Sequence, residues 1–335
     1  MTEYKVIHTD RYSVKDTDAL SHNQVTVRNF GYPEIGPDMQ EAVKRAYELR
    51  EPKREAYAKS CEAKGIKPLP EKIYALKEEE VREGHIDLTF GASDYAWVDA
   101  FMFAPVRNDE KYKLIQTPDG KTRWPTMRER ALASGLYTTV RTQNEKGERI
   151  VLLGLRGDKV SSLKDSYGTF GSAHYNYGDT WLLSPSNIFV QAQSAALQDM
   201  TLSPFQPVKK FVMCGVSKTS PGIYHYQLDT NGKSIGPSNN PEDPSAEAFG
   251  DRMLHFEMHL EVPAEKFLLE QKPRILEAGK YKDVIALNFD REEELGDLLD
   301  DSHHRIPSTL EGQLMLLGNY FYGSDWTKSR RWVSE

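Results

Sequence analysis

Residues 171–179 concentrate side chains that can carry out acid–base chemistry or hold a planar ligand. The segment follows a short predicted strand, and its candidates are His174, Tyr175, Asn176, Tyr177 and Asp179. An imidazole and a carboxylate can act as a general base or orient a ligand, so His174 and Asp179 are candidate catalytic residues. The tyrosine rings could stack on a nucleobase, with the amide beside them. A surface loop whose rings pack on the scaffold explains the same residues, and the sequence leaves both interpretations open.

A second set of chemistry-bearing residues lies in the segment 254–262, which alternates like a β-strand. Alternate side chains point to one side of a strand, so His255, Glu257 and His259 share a face. Two imidazoles and a carboxylate form a ligand set for Zn²⁺, Mn²⁺ or Fe²⁺, and the carboxylate is also a candidate catalytic group. Same-side Cα atoms lie about 6.6 to 6.8 Å apart, however, and three in a row seldom converge on one ion. The alternative is a solvent-facing side opposite a core-facing side.

A basic edge is predicted at Arg156 and Lys159, three residues apart after an apolar run. An ordinary surface ion pair explains them equally well.

The composition of the 335 residues, with 39% hydrophobic and 28% charged residues, is that of a soluble globular protein with a sizeable core. The net charge of −7 gives no indication of nucleic-acid binding, and a small ligand is the expected partner. The apolar runs are far shorter than the roughly 18 to 20 residues that span a bilayer. With no secretory signal at the start and two cysteines, Cys61 and Cys214, we expect a cytoplasmic protein.

The elements that must position these residues fall into two predicted parts. Residues 1–84 are predicted to be an irregular arm followed by two or three helices over 37–83, broken at Pro52 and at 67–70. Amphipathic helices of this kind could pack on the main domain or on a second copy of the chain.

Residues 85–335 are predicted to form the main domain. It contains a hairpin of strands 136–142 and 149–156, a helix over 186–200 and a last helix from 308, and further strands and helices interleave without a regular βαβ rhythm. The predicted fold class is therefore α/β (α+β), a mixed sheet sandwiched between helices, with an N-terminal helical extension.

Three stretches of the main domain resemble the Nudix superfamily. Residues 149–160 and 167–173 are similar to the entry of its domain, a strand that ends in an arginine and the following "W/Y-G-x-x-G-G" passage, with Ser172 in place of the last glycine. Residues 195–200 are similar to the "A-A-x-R-E-L" start of the family's catalytic helix. Residues 91–95 also resemble the "G-L-T-D-Y" motif of an atypical branch that cleaves UDP-sugars.

The resemblance implies a Nudix-like sheet and a ligand pocket at residues 171–179. It also assigns Gln198 and Asp199 to ligand binding, and it implies that the basic edge of Arg156 and Lys159 contacts phosphate or ribose oxygens. Leu202 and Ser203 stand where the family has the glutamates that bind Mg²⁺, and neither supplies a carboxylate. The chain therefore resembles an atypical member with a degenerate Nudix box.

Three functions remain open from the sequence. The first choice is a protein that binds a nucleotide or nucleotide-sugar-type ligand without the ordinary Mg²⁺-dependent hydrolysis. The alternatives are a phosphoanhydride hydrolase with relocated metal ligands, such as Glu257 with Asp179 or Asp199, and an enzyme of another class that uses His174 or the His255 strand. The cofactor is unknown, with a divalent metal ion as the candidate.

Overall fold

The computed structural model describes most of the chain. The described residues are 6–8, 12–30, 37–63, 68, 71–100, 104, 109–123, 134–157, 165–175, 185–219, 227–228, 234–236, 252–301 and 308–322.

Strands and helices alternate irregularly along the chain. The strands are β1 Val6–His8, β2 Tyr12–Leu20, β3 Val25–Phe30, β4 Lys72–Arg82, β5 His85–Asp94, β6 Ile115–Gln116, β7 Thr122–Arg123, β8 Ser134–Gln143, β9 Arg149–Arg156, β10 Tyr167–Gly168, β11 Ala173–His174, β12 Val208–Thr219, β13 Gln227–Leu228, β14 Ser234–Gly236, β15 Arg252–Leu260 and β16 Tyr281–Asn288. The helices are α1 Pro37–Glu62, α2 Tyr95–Val98, α3 Pro185–Asp199, α4 Ala264–Glu270, α5 Lys272–Ala278, α6 Glu292–Asp301 and α7 Ser308–Tyr322.

A nine-stranded mixed sheet forms the centre of the molecule. Its order is β1-β2-β12-β15-β8-β9-β10, and β11 and β16 pair with β8 and β9. The β15–β8 pair is parallel, whereas the other pairs of this sheet are antiparallel. The predicted fold class, a mixed sheet with helices, is confirmed.

Helices cover both faces of this sheet. Ile150 and Leu152 of β9 join a core with α3, whereas Val151 and Leu153 join a core with α7. The β9 side chains are therefore buried on both faces, which explains why that strand is a nearly continuous apolar run. We call these two surfaces the α3 face and the α7 face.

A three-stranded sheet in the order β3-β5-β4 packs against the α3 face. Its strand β4 corrects the helix predicted over residues 72–82. The inner half of β4 is buried, and pairing with β5 satisfies its backbone, so tertiary contacts override the helical preference of the Glu-rich outer half. The predicted domain boundary after residue 84 falls within this β4–β5 hairpin, and main-chain pairing therefore continues across it.

The N-terminal arm, predicted to be irregular, contains a strand of the main sheet, because β2 pairs with β12. Helix α1 runs unbroken through Pro52. Its buried side, Ala42, Val43 and Ala46, packs in one core with α2, so this apolar face is already used within the chain. In the described part of the chain, no helix is long and apolar enough to cross a membrane.

Candidate functional site

The segment that precedes α3 is fastened to the end of that helix by one carboxylate. The backbone N–H of Gly171 donates to Asp199 Oδ2 at 3.0 Å, and the Lys280 ammonium group pairs with the same oxygen. The Tyr281 hydroxyl lies 3.2 Å from that oxygen and 3.0 Å from the carbonyl oxygen of Thr169. We call Gly171, Asp199, Lys280 and Tyr281 the Asp199 corner.

Close packing explains why a glycine stands in this corner. Gly171 has a φ of 80°, in the left-handed region that favours glycine. A Cβ at this position would lie 2.7 Å from Cα and Cβ of Ala196 on α3. A glycine facing an alanine lets the loop backbone touch the helix.

The Asp199 carboxylate is consequently engaged in holding the loop. Lys280 neutralises its charge, and in the described residues no group of three or more His, Cys, Asp or Glu side chains could hold a metal ion. Leu202 packs against the α3-face core, Ser203 Oγ accepts from the backbone of Phe205 at 3.2 Å, and the predicted contact Gln198 is exposed on α3.

His174 ends β11 and packs against α2. Its ring meets the Tyr95 ring edge-on, with centroids 5.3 Å apart, and the Arg50 guanidinium carbon lies 5.4 Å from the Tyr95 centroid. Burial lowers the pKa of His174 to about 4, so the ring is neutral at pH 7. Its buried Nδ1 has no hydrogen-bond partner among the described residues.

Tyr175 is a core residue, and its predicted role in stacking on a nucleobase is corrected. The side chain is fully buried, and its ring packs 4.9 Å from that of Tyr74 and 5.1 Å from that of Phe90. Its backbone also bridges two sheets, since its N–H donates to Ser134 and its carbonyl accepts from Tyr74. For Tyr175, the alternative that the ring packs on the scaffold is therefore the correct one.

Arg156 ends β9 beside the Asp199 corner. Its side-chain carbons approach Gly168 of the neighbouring β10, and its charge opposes the large rise that burial causes in the pKa of the Tyr281 hydroxyl. The other predicted contacts and the predicted base of this region lie outside the described residues: Lys159, Asn176, Tyr177 and Asp179.

His255, Glu257 and His259 share the α7 face of β15, as the alternation predicted. The predicted metal site is nevertheless contradicted, because the described residues contain no group of three or more such side chains that could hold a metal ion. The side chains instead have separate neighbours. His255 Nε2 lies 2.6 Å from Ser217 Oγ, and Glu257 pairs with Arg141 at 2.6 Å. The alternative, a side that faces solvent, is also wrong for His255 and Glu257, because both are buried beneath α7.

Three residues that the sequence did not single out organise these sites. Arg141 pairs with Glu257, Lys280 with Asp199, and the buried amide of Gln313 donates to the carbonyl oxygen of Phe256 at 2.8 Å. For the pair of Arg141 and Glu257, the signal available in the sequence was an arginine within the predicted strand 136–142. The other two contacts depend on tertiary packing.

Burial fixes the charge state of the strand histidines. It lowers the pKa of His255 to about 3, against a smaller opposing effect of Gln313. Burial, together with the positive charges of Arg141, Lys209 and Lys210, lowers the pKa of His259 to about 4. Both rings are neutral at pH 7.

The sequence matches no protein-family model and no curated protein.

Proposed function

We propose that this chain is a Nudix-like protein that binds a nucleotide-type small ligand without hydrolysing it. The observation that carries the proposal is the engagement of Asp199. This carboxylate of the degenerate box is held by Lys280 and by the Gly171 N–H. A carboxylate neutralised in this way is a poor ligand for Mg²⁺, which is held in protein sites by carboxylates together with substrate phosphates.

The layered fold supports the Nudix-like part of the proposal. The sheet is mixed and carries helices on both faces, and α3 follows the glycine loop that the resemblance identifies. The contact of Gly171 with Ala196 holds that loop against the helix.

The ligand-binding part of the proposal is supported by two groups near this loop. His174 is neutral and offers a buried Nδ1 that lacks a protein partner in the described chain, so it can donate or accept one hydrogen bond. Arg156 lies beside the Asp199 corner and supplies a guanidinium group suited to phosphate oxygens. Because Cys61 and Cys214 form no disulfide, the proposal places the protein in the cytoplasm.

The structure disfavours the relocated metal set that combines Glu257 with Asp199. Met258, the neighbour of Glu257, packs in one core with α3, so Glu257 points to the opposite side of the sheet from α3 and Asp199. His255 and Glu257 are buried under α7, which also argues against an enzyme that uses this strand face.

Thermal shift and calorimetric titration with nucleotides and nucleotide-sugars, with and without Mg²⁺, test the proposal. A ligand at 100 times its Kd should stabilise the fold by about 2.7 kcal/mol, and the phosphorus NMR spectrum of the mixture should show no product. His174→Ala should weaken binding, whereas His22→Ala, at an exposed position, is the matched control.

Two results would contradict the proposal. Product formation that depends on Mg²⁺ would establish the hydrolase instead. No stabilisation by any nucleotide or nucleotide-sugar would remove the binding function.

A further inference from the structure

A row of nitrogen-bearing side chains crosses the α7 face at one end of the main sheet. Lys210 on β12 is the register partner of His259 on β15, which is the register partner of Arg141 on β8. Arg149 continues the row on β9, two residues before the partner of Arg141. Adjacent strands lie about 4.8 Å apart, so the first three members span roughly 10 Å. We call these residues, with Lys209, the basic row.

The basic row lies on the opposite side of the sheet from α3. Met258 and Leu260, the neighbours of His259, pack in the core that contains α3 residues. The side chain of His259 therefore points to the α7 face, away from the Asp199 corner. The aromatic ring of Phe321 on α7 lies 4.9 Å from the Arg141 guanidinium carbon and 4.1 Å from that of Arg149.

Positive charge exceeds negative charge in this row. Glu257 pairs with Arg141, and Asp290 pairs with Arg149. Lys209 and Lys210 are exposed, and the positive charge of both lowers the pKa of His259. Like charges on neighbouring strands are unfavourable, so an anion at this end of the sheet would relieve them.

The row also contains a donor that the protein leaves without a partner. Arg141 is nine-tenths buried, and its Nε has no hydrogen-bond partner among the described residues, although its terminal Nη2 pairs with Glu257. His259 is half-buried and neutral at pH 7, so one ring nitrogen carries a proton to donate. Two lysines, an imidazole and a guanidinium are the donor types that bind phosphate oxygens.

We propose that the basic row is a binding site for a diphosphate group. Lys209 and Lys210 form its exposed end, and His259 and Arg141 form its buried end. Lys210, His259 and Arg141 span roughly 10 Å across three strands, so their donors can contact the oxygens of two linked phosphoryl groups. The site is separate from the Asp199 corner, and the group could come from inorganic pyrophosphate or from a nucleoside diphosphate.

Calorimetric titration of the full chain with pyrophosphate at low salt tests this site. Lys209→Gln with Lys210→Gln removes two exposed charge-assisted contacts, so the Kd should rise by about tenfold or more. Lys44→Gln with Lys59→Gln removes the same charge from exposed positions on α1 and should leave the Kd unchanged. Equal weakening in the two double variants, or no binding by the unmodified chain, would overturn the proposal.

The signal of the His259 ring locates the bound anion. Pyrophosphate should shift this ring signal in a proton–carbon correlation spectrum, and the signal is assigned by its loss in His259→Gln. A shift confined to other histidines would overturn the proposal.

Parallel titrations with ADP distinguish the two sources of the diphosphate. If ADP binds and loses affinity in the lysine double variant, the site accepts a nucleotide-borne group. If only pyrophosphate does so, the site is for the inorganic ion. If both ligands bind and the lysine double variant changes the affinity for neither, the assignment of the site is wrong.

Discussion

Two carboxylate–cation pairs on opposite faces of the same sheet differ in burial. On the α3 face, the side chains of Asp199 and Lys280 keep 15% and 32% of their surface exposed. On the α7 face, those of Glu257 and Arg141 keep only 4% and 11%. The first pair fastens a loop at the surface, whereas the second is enclosed between a sheet and a helix.

This difference in burial separates polar residues that stabilise the fold from polar residues that remain accessible. Water screens a partly exposed pair, so its removal has a modest cost. Removal of one partner from an enclosed pair leaves a charge that neither water nor protein stabilises. Glu257, which the sequence offers as a catalytic residue or metal ligand, belongs to the enclosed class.

Arg141→Ala should produce the largest loss of stability. It leaves Glu257 buried without its cation, which costs about 3 to 5 kcal/mol of unfolding free energy. Urea denaturation measures the loss. The double change Arg141→Leu with Glu257→Leu should restore most of it, and no recovery would show that the two residues do not act as a pair.

Gly171→Ala should destabilise the Asp199 corner by about 2 to 4 kcal/mol, through left-handed strain and the clash with Ala196. Gly147 is the matched control, because it has a similar φ of 82° but nothing within 4 Å of an added Cβ. Gly147→Ala should cost about 1 to 2 kcal/mol, for strain alone. Equal losses in denaturant melts would contradict the close contact with α3.

The buried histidine of the α7 face should make stability depend on pH. The pKa of His255 is about 3 in the fold, against 6.5 for a histidine surrounded by water, so the unfolded chain binds an extra proton between these values. Stability from this group is complete above about pH 6.5 and falls as the pH decreases, by up to about 1.4 kcal/mol per unit. Urea melts between pH 4 and 7 should show a shallower slope for His255→Gln than for the unmodified chain. Identical slopes would contradict burial of a neutral ring.

Asp199→Asn should have the smallest effect, about 1 kcal/mol, because the pair with Lys280 is partly exposed and the amide oxygen can still accept from Gly171. Denaturant melts beside Arg141→Ala measure the contrast between the two faces. A loss as large as that of Arg141→Ala would show that both pairs are enclosed to the same degree.

Local patterns along the chain predicted the elements that carry both sites. The polar turn between β8 and β9, the helical rhythm of α3 and the two-residue alternation of β15 were each readable, because they depend on near neighbours. The alternation also placed His255, Glu257 and His259 on one face. Strand β4 was predicted as a helix, because its Glu-rich half favours a helix until β5 supplies backbone partners.

By itself, the sequence determined the mixed α/β class and the sharing of a strand face by three acid–base residues. Only the tertiary structure decided what covers each face. It brought Arg141 to Glu257 and Lys280 to Asp199, and it buried Tyr175 between two sheets. The physical reason is that burial and pairing depend on residues distant in sequence, and these set whether a polar side chain is neutral, paired or exposed to a ligand.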